Sequence, residues 1–257
     1  MSLVVLLTDF GAKDYFVGVM KGVISRINPL LKVIDLSHAI DPQNVRQAAF
    51  VLWASRKFFP EDSIFVSVVD PGVGSERKVI CGRIDDRVYL APDNGLLDYV
   101  AAEAGEAEFY EVTNRKYFLP TISSTFHGRD IFAPVAAHLS RGIRLSELGD
   151  RFDYRKVMPF YEQIKEGKNV GEVVYQDGFG NVFTNFLWDD LVLSRKPSVK
   201  INSKIIKKFV RSYSEATGKF PLCVKGSSGL VEIAVNLGDA SRILRSRIGM
   251  KVTLDLK

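Results

Sequence analysis

Apolar and polar positions along the first half of the chain predict strands and helices in turn. Residues 3–7 are a continuous run of Val and Leu, which is typical of a strand buried on both faces. Residues 14–28 carry apolar side chains at helical spacing, and Pro29 ends that helix. The alternation continues with a strand at 32–36, a helix at 42–59 and a strand at 63–69. This order predicts right-handed strand–helix–strand units and a mostly parallel sheet.

The pattern changes beyond about residue 150. Before it lie predicted paired strands at 79–84 and 87–90, a helix at 96–103, a strand at 108–112 and a helix at 130–141. After it come short strands punctuated by Gly and Asn, with a helical piece around 204–210. We therefore predict an α/β protein with two domains joined through the polar segment 150–167. The N-terminal α/β domain, residues 1–155, has a mostly parallel sheet flanked by helices; the smaller C-terminal domain, residues 165–257, is all-β and barrel-like.

Composition is that of an ordinary globular protein, with 46% hydrophobic and 25% charged residues among 257. No stretch approaches the roughly 18 apolar residues of a membrane span. The two cysteines are far apart in apolar runs, which favours free buried thiols and a cytoplasmic protein. The net charge of +5 would suit nucleic acid, but the densest basic cluster, 204–211, has the spacing of a solvated helix face. We expect neither a nucleic-acid nor a membrane partner.

Acidic residues follow three strands of the predicted parallel sheet. Asp9, Asp35 and Asp70 each stand at a strand end, and the turn Pro92–Gly95 follows another strand. In open α/β sheets, ligands bind beyond the carboxyl ends of the strands, so these carboxylates converge on one rim. The alternative is that each acid caps the helix after it, for which Asp14 is a further candidate.

The loop that begins at Asp70 is rich in glycine, which permits unusual dihedral angles and the close approach of a ligand. It matches neither G-x-G-x-x-G nor a Gly-Lys-Ser/Thr motif, so phosphate binding is not indicated. A turn that bends Asp70 back toward Arg77 is the alternative. His127 stands just before a predicted helix; an isolated histidine is usually structural. The three histidines lack metal-binding spacing, and no metal site is expected.

Two polar turns stand out in the predicted all-β domain. Residues 175–181 present Asp177, Phe179 and Asn181 together, and these side-chain types suit an ammonium group, a purine face and a purine edge. An ordinary β-turn is the alternative. Residues 227–229 form a second polar turn.

Five motifs, in order along residues 3–256, resemble one family. They are Thr8-Asp9-Phe10-Gly11, Asp70-Pro71-Gly72-Val73-Gly74, Ala91-Pro92-Asp93-Asn94-Gly95-Leu96-Leu97, Phe126-His127-Gly128-Arg129-Asp130 and Asp177-Gly178-Phe179-Gly180-Asn181. Together they are similar to the adenosine-forming S-adenosylmethionine hydrolases, which share a superfamily with the fluorinase and chlorinase. The resemblance implies an α/β domain, a β-barrel-like domain and a homotrimer with active sites between subunits.

The resemblance also implies roles for individual residues. Asp70, Arg77 and His127 match a water-activating triad. The implied substrate contacts are Asp9 for the ribose hydroxyls, Asp177 for the methionine amine, Asn181 for the adenine edge, Phe179 for an aromatic wall, Ser227 for the methionine carboxylate and Tyr213 for adenine stacking. Phe126 and Glu232 complete the candidate substrate-binding set. The fluorinase has a tyrosine where this chain has Asp70 and a serine where it has Gly128; both departures disfavour halogenation.

The expected function is therefore hydrolysis of S-adenosyl-L-methionine to adenosine and L-methionine, by in-line attack of an activated water on C5′, with no cofactor. The first alternative is a halide-dependent 5′-halogenase on the same scaffold. The second is a non-catalytic module, either a sensor that binds S-adenosylmethionine or an RNA binder, although no RNP-like or KH-like motif is present. A metal-dependent phosphohydrolase is suggested only by the strand-end aspartates.

Overall fold

The computed structural model describes residues 3–155, 157–215 and 218–256 of the chain. The chain divides into two compact units, Met1–Met158 and Pro159–Lys257. The division falls within the polar segment 150–167, and each unit has its own hydrophobic core. The ends of the predicted domain ranges, residues 1 and 257, lie outside the described residues.

One sheet organises the first unit, and its described part, residues 3–155, contributes six strands. They are β1 (Leu3–Thr8), β2 (Lys32–Ser37), β3 (Ile64–Val68), β4 (Val79–Ile84), β5 (Arg87–Pro92) and β6 (Ala107–Glu111). Their order is β2-β1-β3-β5-β4-β6. β1 pairs in parallel with β2 and β3, and β3 with β5, whereas β4 is antiparallel to both of its neighbours. The predicted mostly parallel sheet is confirmed.

Helices cover both faces of this sheet. They are α1 (Phe16–Ile27), α2 (Val45–Ser55), α3 (Asp98–Ala101) and α4 (Ala133–Leu139). In β1, Val4 and Leu6 pack in one cluster with Met20 of α1, while Val5 and Leu7 pack on the opposite face. Successive side chains of a strand point to opposite faces, so a strand covered on both sides is apolar at every position.

The helix predicted over 130–141 begins with a π-helical turn at Gly128–Phe132 and continues as α4. Pro134 has no N–H to donate to the carbonyl of Asp130, and that carbonyl accepts the N–H of Leu119 instead, at 2.9 Å. The sequence therefore ties the start of this helix to the preceding loop.

Two predicted helix starts are wrong. Tyr15, and not Asp14, occupies the N-cap position of α1, and no side chain caps it. α2 begins at Val45 instead of 42, because the side chain of Asn44 accepts the N–H of Gln47 at 3.0 Å and so fixes the first turn there.

The second unit is built from strands that lie within residues 159–215 and 218–256. Those described are β7 (Glu162–Gln163), β8 (Gly167–Gln176), β9 (Val182–Leu187), β10 (Ser198–Ile201), β11 (Lys204–Ile206), β12 (Phe209–Val210), β13 (Leu222–Lys225), β14 (Leu230–Ala234) and β15 (Lys251–Leu256). The path is β11-β10-β15-β8-β9-β14-β13-β12, with β7 paired to β9. β11 and β12 lie at opposite ends of this path, yet only residues 207 and 208 connect them. A two-residue link spans under ~11 Å, so the sheet curls into a half-barrel.

The helix predicted over 204–210 is wrong, since these residues belong to β11, β12 and their link. Ile206 pairs with Val199 of β10 and is buried, whereas Lys204 is exposed. The basic cluster therefore lies in β11, in the link to β12 and just after β12, and is not a helix face. A short helix, α5 (Ala240–Leu244), precedes β15.

Across residues 3–155, 157–215 and 218–256, the helices are all too short or too polar to cross a membrane.

Candidate functional site

Three polar side chains from two loops meet just beyond the carboxyl end of β3. The Nε of Arg77 donates to both carboxylate oxygens of Asp70, at 2.9 and 2.8 Å, and its Nη2 also bonds Asp70. The same Nη2 lies 3.0 Å from Nδ1 of His127. The side chains of Asp70 and Arg77 are 5% and 11% exposed, so the ion pair is largely shielded from water. The predicted catalytic trio is therefore contiguous, with Arg77 at its centre.

The glycine-rich loop folds tightly enough to bring these groups together. Asp70 accepts the N–H of Gly72 at 3.2 Å, and this bond turns the chain back toward Arg77. Gly74 has a φ of +79°, and a Cβ at this position would overlap the carbonyl oxygen of Ser124. Only glycine fits such a left-handed, closely packed position. The two interpretations of the loop are thus compatible: the turn to Arg77 builds the polar site.

The electrostatic surroundings keep His127 neutral. Burial lowers the pKa of its imidazole below 6.5, and the adjacent Arg77 cation lowers it further. The carboxylates of Asp70 and Asp130 and a bond to the Ser123 backbone act in the opposite direction without reversing the shift. A neutral imidazole can accept a hydrogen bond from Arg77.

Phe126 belongs to an aromatic cluster beside this trio. Its ring contacts Phe10 and Phe16 edge-on, with centroids 5.9 and 5.1 Å apart. A Cβ on Gly128 would stand 3.2 Å from side-chain atoms of Phe10, Phe126 and Met20. Position 128 therefore has no room for a larger side chain unless the cluster shifts.

The turn Pro92–Gly95 has a structural role within the first unit. The side-chain amide of Asn94 donates to the carbonyl of Val69 at 2.9 Å, which fixes the backbone next to Asp70. Asp93 forms an ion pair with Arg155 at 3.4 Å. This motif supports the trio without contributing a group to it.

Asp9 lies at the carboxyl ends of β1 and β2, where the backbone N–H of Gln43 donates to its Oδ2 at 2.8 Å. Sequence reasoning missed the residues beside it. The hydroxyl of Thr8 lies 2.8 Å from Nδ1 of His38, and Nε2 of His38 lies 3.0 Å from Oδ1 of Asp35. The signal was available, because Thr8 ends β1 and His38 directly follows β2, its parallel neighbour.

The second unit contains an open cavity of about 1010 Å³. This is at the upper end of the usual range for small-molecule sites. Six predicted substrate-binding residues line it: Asp177, Phe179, Asn181, Tyr213, Ser227 and Glu232. Sequence reasoning missed the remaining lining, which comprises Phe183, Lys225 and residues 235–239.

Asp177 organises the turn at one side of this cavity. Its Oδ1 accepts the backbone N–H groups of Phe179 and Asn181 at 2.9 and 2.8 Å, and its Oδ2 accepts the side-chain amide of Asn181 at 2.9 Å. These bonds leave the carbonyl oxygen of the Asn181 side chain available. Phe179 projects from the turn and is 82% exposed.

A second carboxyl group, Glu232 of β14, lies in the cavity wall and is 2% exposed. The hydroxyl of Tyr213 donates to its Oε1. Burial raises the pKa of Glu232, the nearby Asp177 raises it further, and the bond from Tyr213 opposes both effects. Burial also raises the pKa of Tyr213, and its bond to Glu232 adds to that effect.

In the part of the chain that the structure describes, no three His, Cys, Asp or Glu side chains cluster as a metal site would require.

Models of one protein family match both units. The model described as the SAM hydroxide adenosyltransferase N-terminal domain matches residues 4–149, and that of the C-terminal domain matches residues 171–253.

Full-length relatives have similar sequences. A Methanocaldococcus jannaschii protein named (R)-S-adenosyl-L-methionine hydrolase is 36% identical, over 95% of this chain and 92% of its own length. A Thermus thermophilus protein of the same name is 35% identical, over 99% of this chain and 100% of its own length. A fluorinase of an Actinoplanes species is 28% identical, over 74% of this chain and 73% of its own length. The hydrolases thus share more of this chain than the fluorinase does.

Solved structures have the same fold. An uncharacterized conserved protein from Thermotoga maritima superposes with a TM-score of 0.91 at 41% identity, covering 98% of this chain and all of its own. A conserved hypothetical protein from Thermus thermophilus gives a TM-score of 0.82 at 32% identity, covering both chains fully.

Proposed function

The chain belongs to the SAM hydroxide adenosyltransferase family, and from this premise we propose that it hydrolyses S-adenosyl-L-methionine to adenosine and L-methionine. The observation that carries the proposal is the contact of Asp70, Arg77 and His127 in one shielded polar cluster. Such a cluster is suited to holding and activating a single water molecule.

The leaving group of this reaction needs no activation. The water oxygen forms a bond to C5′ while the bond between C5′ and the sulfonium sulfur breaks, and the electron pair leaves with sulfur as a neutral thioether. The water gives up one proton, so the products are adenosine, methionine and H⁺. The difficulty lies with the nucleophile, because neutral water is weak and must be oriented and deprotonated.

We assign the contact with water to Asp70. A positioned carboxylate that accepts the proton of a nucleophile contributes ~10²–10⁴-fold to the rate. Arg77 fixes the carboxylate through its bonds to both oxygens, and its positive charge balances the negative charge of Asp70. His127, neutral and bonded to Arg77, holds the guanidinium in this orientation.

The remaining candidates bind the substrate in this proposal. Asp9 accepts the two ribose hydroxyls, since one carboxylate can accept two hydrogen bonds at once, and Phe126 packs nearby. The cavity residues bind the other parts: Asn181, Phe179 and Tyr213 the adenine, Asp177 and Glu232 the cationic methionyl end, and Ser227 its carboxylate. Support comes from the shared cavity that these six residues line.

We further propose that the active enzyme is a homotrimer whose sites form between subunits. The test is complementation: Asp70→Asn and Asn181→Ala, each inactive alone, should recover activity when mixed and reassembled. An active monomer in sedimentation would contradict this arrangement.

The reaction as proposed needs no cofactor, because the sulfonium is already an activated leaving group and no electrons are transferred. Activity in excess chelator is the expected result, and its loss would favour the metal-dependent alternative. Two free buried cysteines, Cys81 and Cys223, are consistent with the proposed cytoplasmic location.

The decisive experiment incubates the purified protein with S-adenosyl-L-methionine in heavy-oxygen water, first without halide and then with chloride or fluoride. We expect adenosine and methionine, with the label in the 5′-hydroxyl of adenosine. Unlabelled adenosine would contradict attack by water. A 5′-halo product would favour the halogenase, and binding without turnover would favour the sensor.

A further inference from the structure

A chain of polar contacts runs from the surface of the first unit to the loop that carries Asp9. Lys21 Nζ donates to Oδ2 of Asp35 at 2.6 Å, and Oδ1 of Asp35 lies 3.0 Å from Nε2 of His38. Nδ1 of His38 lies 2.8 Å from the hydroxyl of Thr8, and that oxygen accepts the backbone N–H of Phe10 at 3.2 Å.

The hydroxyl of Thr8 makes two of these contacts. Its oxygen accepts the N–H of Phe10, and it also bonds to Nδ1 of His38, where the imidazole tautomer decides which of the two groups donates. Nε2 of His38 lies beside Oδ1 of Asp35 as an ion-pair contact, without the geometry of a hydrogen bond. Burial acts to raise the pKa of Asp35, but Lys21 and His38 together outweigh it and leave that pKa lowered, so Asp35 is the anionic end of these contacts.

His38 also joins the two loops that hold Asp9. Its carbonyl accepts the N–H of Gly11 at 2.8 Å, and Gln43, in the loop after His38, donates its N–H to Asp9 Oδ2 at 2.8 Å. Thr8 is fully buried and therefore has no route to a substrate. The arrangement of hydroxyl, imidazole and carboxylate is thus a scaffold and not a nucleophilic triad.

We infer that His38 is a positioning residue for substrate binding: through Thr8 it sets the orientation in which Asp9 accepts both ribose hydroxyls. The inference rests on the proposed function and deepens it, because it makes recognition of the 2′,3′-diol depend on a residue that never touches the sugar. A general loss of folding would weaken the binding of every nucleoside, whereas a loss of positioning weakens only those that carry the diol.

The test compares the binding of adenosine with that of 2′,3′-dideoxyadenosine by calorimetry. In the His38→Ala variant we expect adenosine to bind roughly 10-fold more weakly, as for the loss of a well-placed hydrogen bond, with dideoxyadenosine affinity unchanged. Thr8→Val, which keeps the shape of the side chain, should reproduce this pattern if His38→Ala fails to fold. His138→Ala, in α4, is the matched control and should change neither affinity.

Two conservative variants separate the contact with Thr8 from the contact with Asp35. His38→Asn keeps an amide near the Nδ1 position, which can still pair with the hydroxyl of Thr8, and it should restore most of the adenosine affinity. His38→Gln keeps a polar group near the Nε2 position but loses the contact with Thr8, so it should behave like His38→Ala. The KM for S-adenosyl-L-methionine should follow the same order.

The possible failures are distinguishable. If the unaltered protein does not prefer adenosine over dideoxyadenosine, the role assigned to Asp9 is wrong and the inference falls with it. If the preference exists but survives in His38→Ala and Thr8→Val, Asp9 keeps its role and the positioning inference is overturned. Equal losses for both nucleosides in these variants would also overturn it, because they would mark a merely structural role.

Discussion

Nη2 of Arg77 donates a hydrogen bond to Nδ1 of His127 over 3.0 Å. A guanidinium has no acceptor, so Nδ1 must be unprotonated and the imidazole proton must be on Nε2. The lowered pKa of His127, caused first by burial and then by the Arg77 cation, agrees with this tautomer. Protonation at low pH would place two cations together and break the contact that holds Arg77 against Asp70.

The first prediction concerns the titration of His127. Replacing Arg77 with Gln removes a cation and should raise the pKa of His127, whereas Asp70→Asn removes an anion and should lower it further. NMR titration of the imidazole measures both shifts against His138, whose surroundings are unaltered. Shifts of the same sign in the two variants would contradict the arrangement.

The same group sets an acid limit on activity and stability. Because the pKa of His127 is lower in the folded than in the unfolded protein, its contribution to stability is complete above pH 6.5. That contribution is lost as the pH falls through the folded-state pKa. We expect kcat/KM to fall over this window, below pH 6.5, and His127→Gln to abolish this limb of the profile.

The second prediction concerns water activation. Asp70→Asn keeps the size of the side chain but removes the base, and turnover should fall by at least ~10²-fold. Glu76→Gln, an exposed carboxylate in the same loop, is the matched control and should leave turnover unchanged. Near-normal turnover by a folded Asp70→Asn protein would remove Asp70 from the mechanism.

The third prediction separates backbone strain from close packing in the Asp70 loop. Gly74→Ala meets both a left-handed φ and the carbonyl of Ser124, so it should lower kcat by displacing the loop and cost about 1–3 kcal/mol of stability. Gly142 has a φ of +92° with open space around it, so Gly142→Ala carries the strain alone. Equal effects of the two changes on kcat would show that the contact with Ser124 does not hold the site.

The sequence predicted the first unit well because its signals are local. A continuous apolar run such as 3–7 indicates a strand covered on both faces, and parallel strands bring their following residues to one edge. The adjacency of Asp70 and Arg77 follows from one short turn. The contact of Arg77 with His127, fifty residues further along the chain, was expected only from the family resemblance, because hydrophobic periodicity does not show which loops contact each other.

The failures have a common physical origin in long-range pairing. In residues 204–211 the lysines are three and four positions apart. This spacing is compatible with one face of a helix and also with two short strands. Pairing of Ile206 with Val199 decides the outcome, and that partner lies outside any local window. The role of His38 also depends on long-range pairing: its two side-chain contacts, Thr8 and Asp35, come together only when β1 and β2 lie side by side.

Glu232 is a case where binding and stability are opposed. Its carboxyl is 2% exposed, and burial raises its pKa above 4.5, with Asp177 adding to the effect. For a carboxyl whose pKa is higher in the folded protein, the favourable contribution is complete below the unfolded value and is lost as the pH rises through the folded value. At neutral and alkaline pH the charged form therefore destabilises the fold.

The fourth prediction follows from the raised pKa of Glu232. Glu232→Gln keeps an acceptor for the hydroxyl of Tyr213 but removes the buried charge, so it should raise Tm more at pH 8 than at pH 4.5. The same variant should raise the KM for S-adenosyl-L-methionine, because the cavity loses a carboxylate that faces a cationic ligand. Glu162→Gln, in the exposed strand β7, serves as the control and should alter neither quantity. A lower Tm at pH 8 would contradict the destabilising effect of the buried charge, and an unchanged KM would contradict a contact between Glu232 and the ligand.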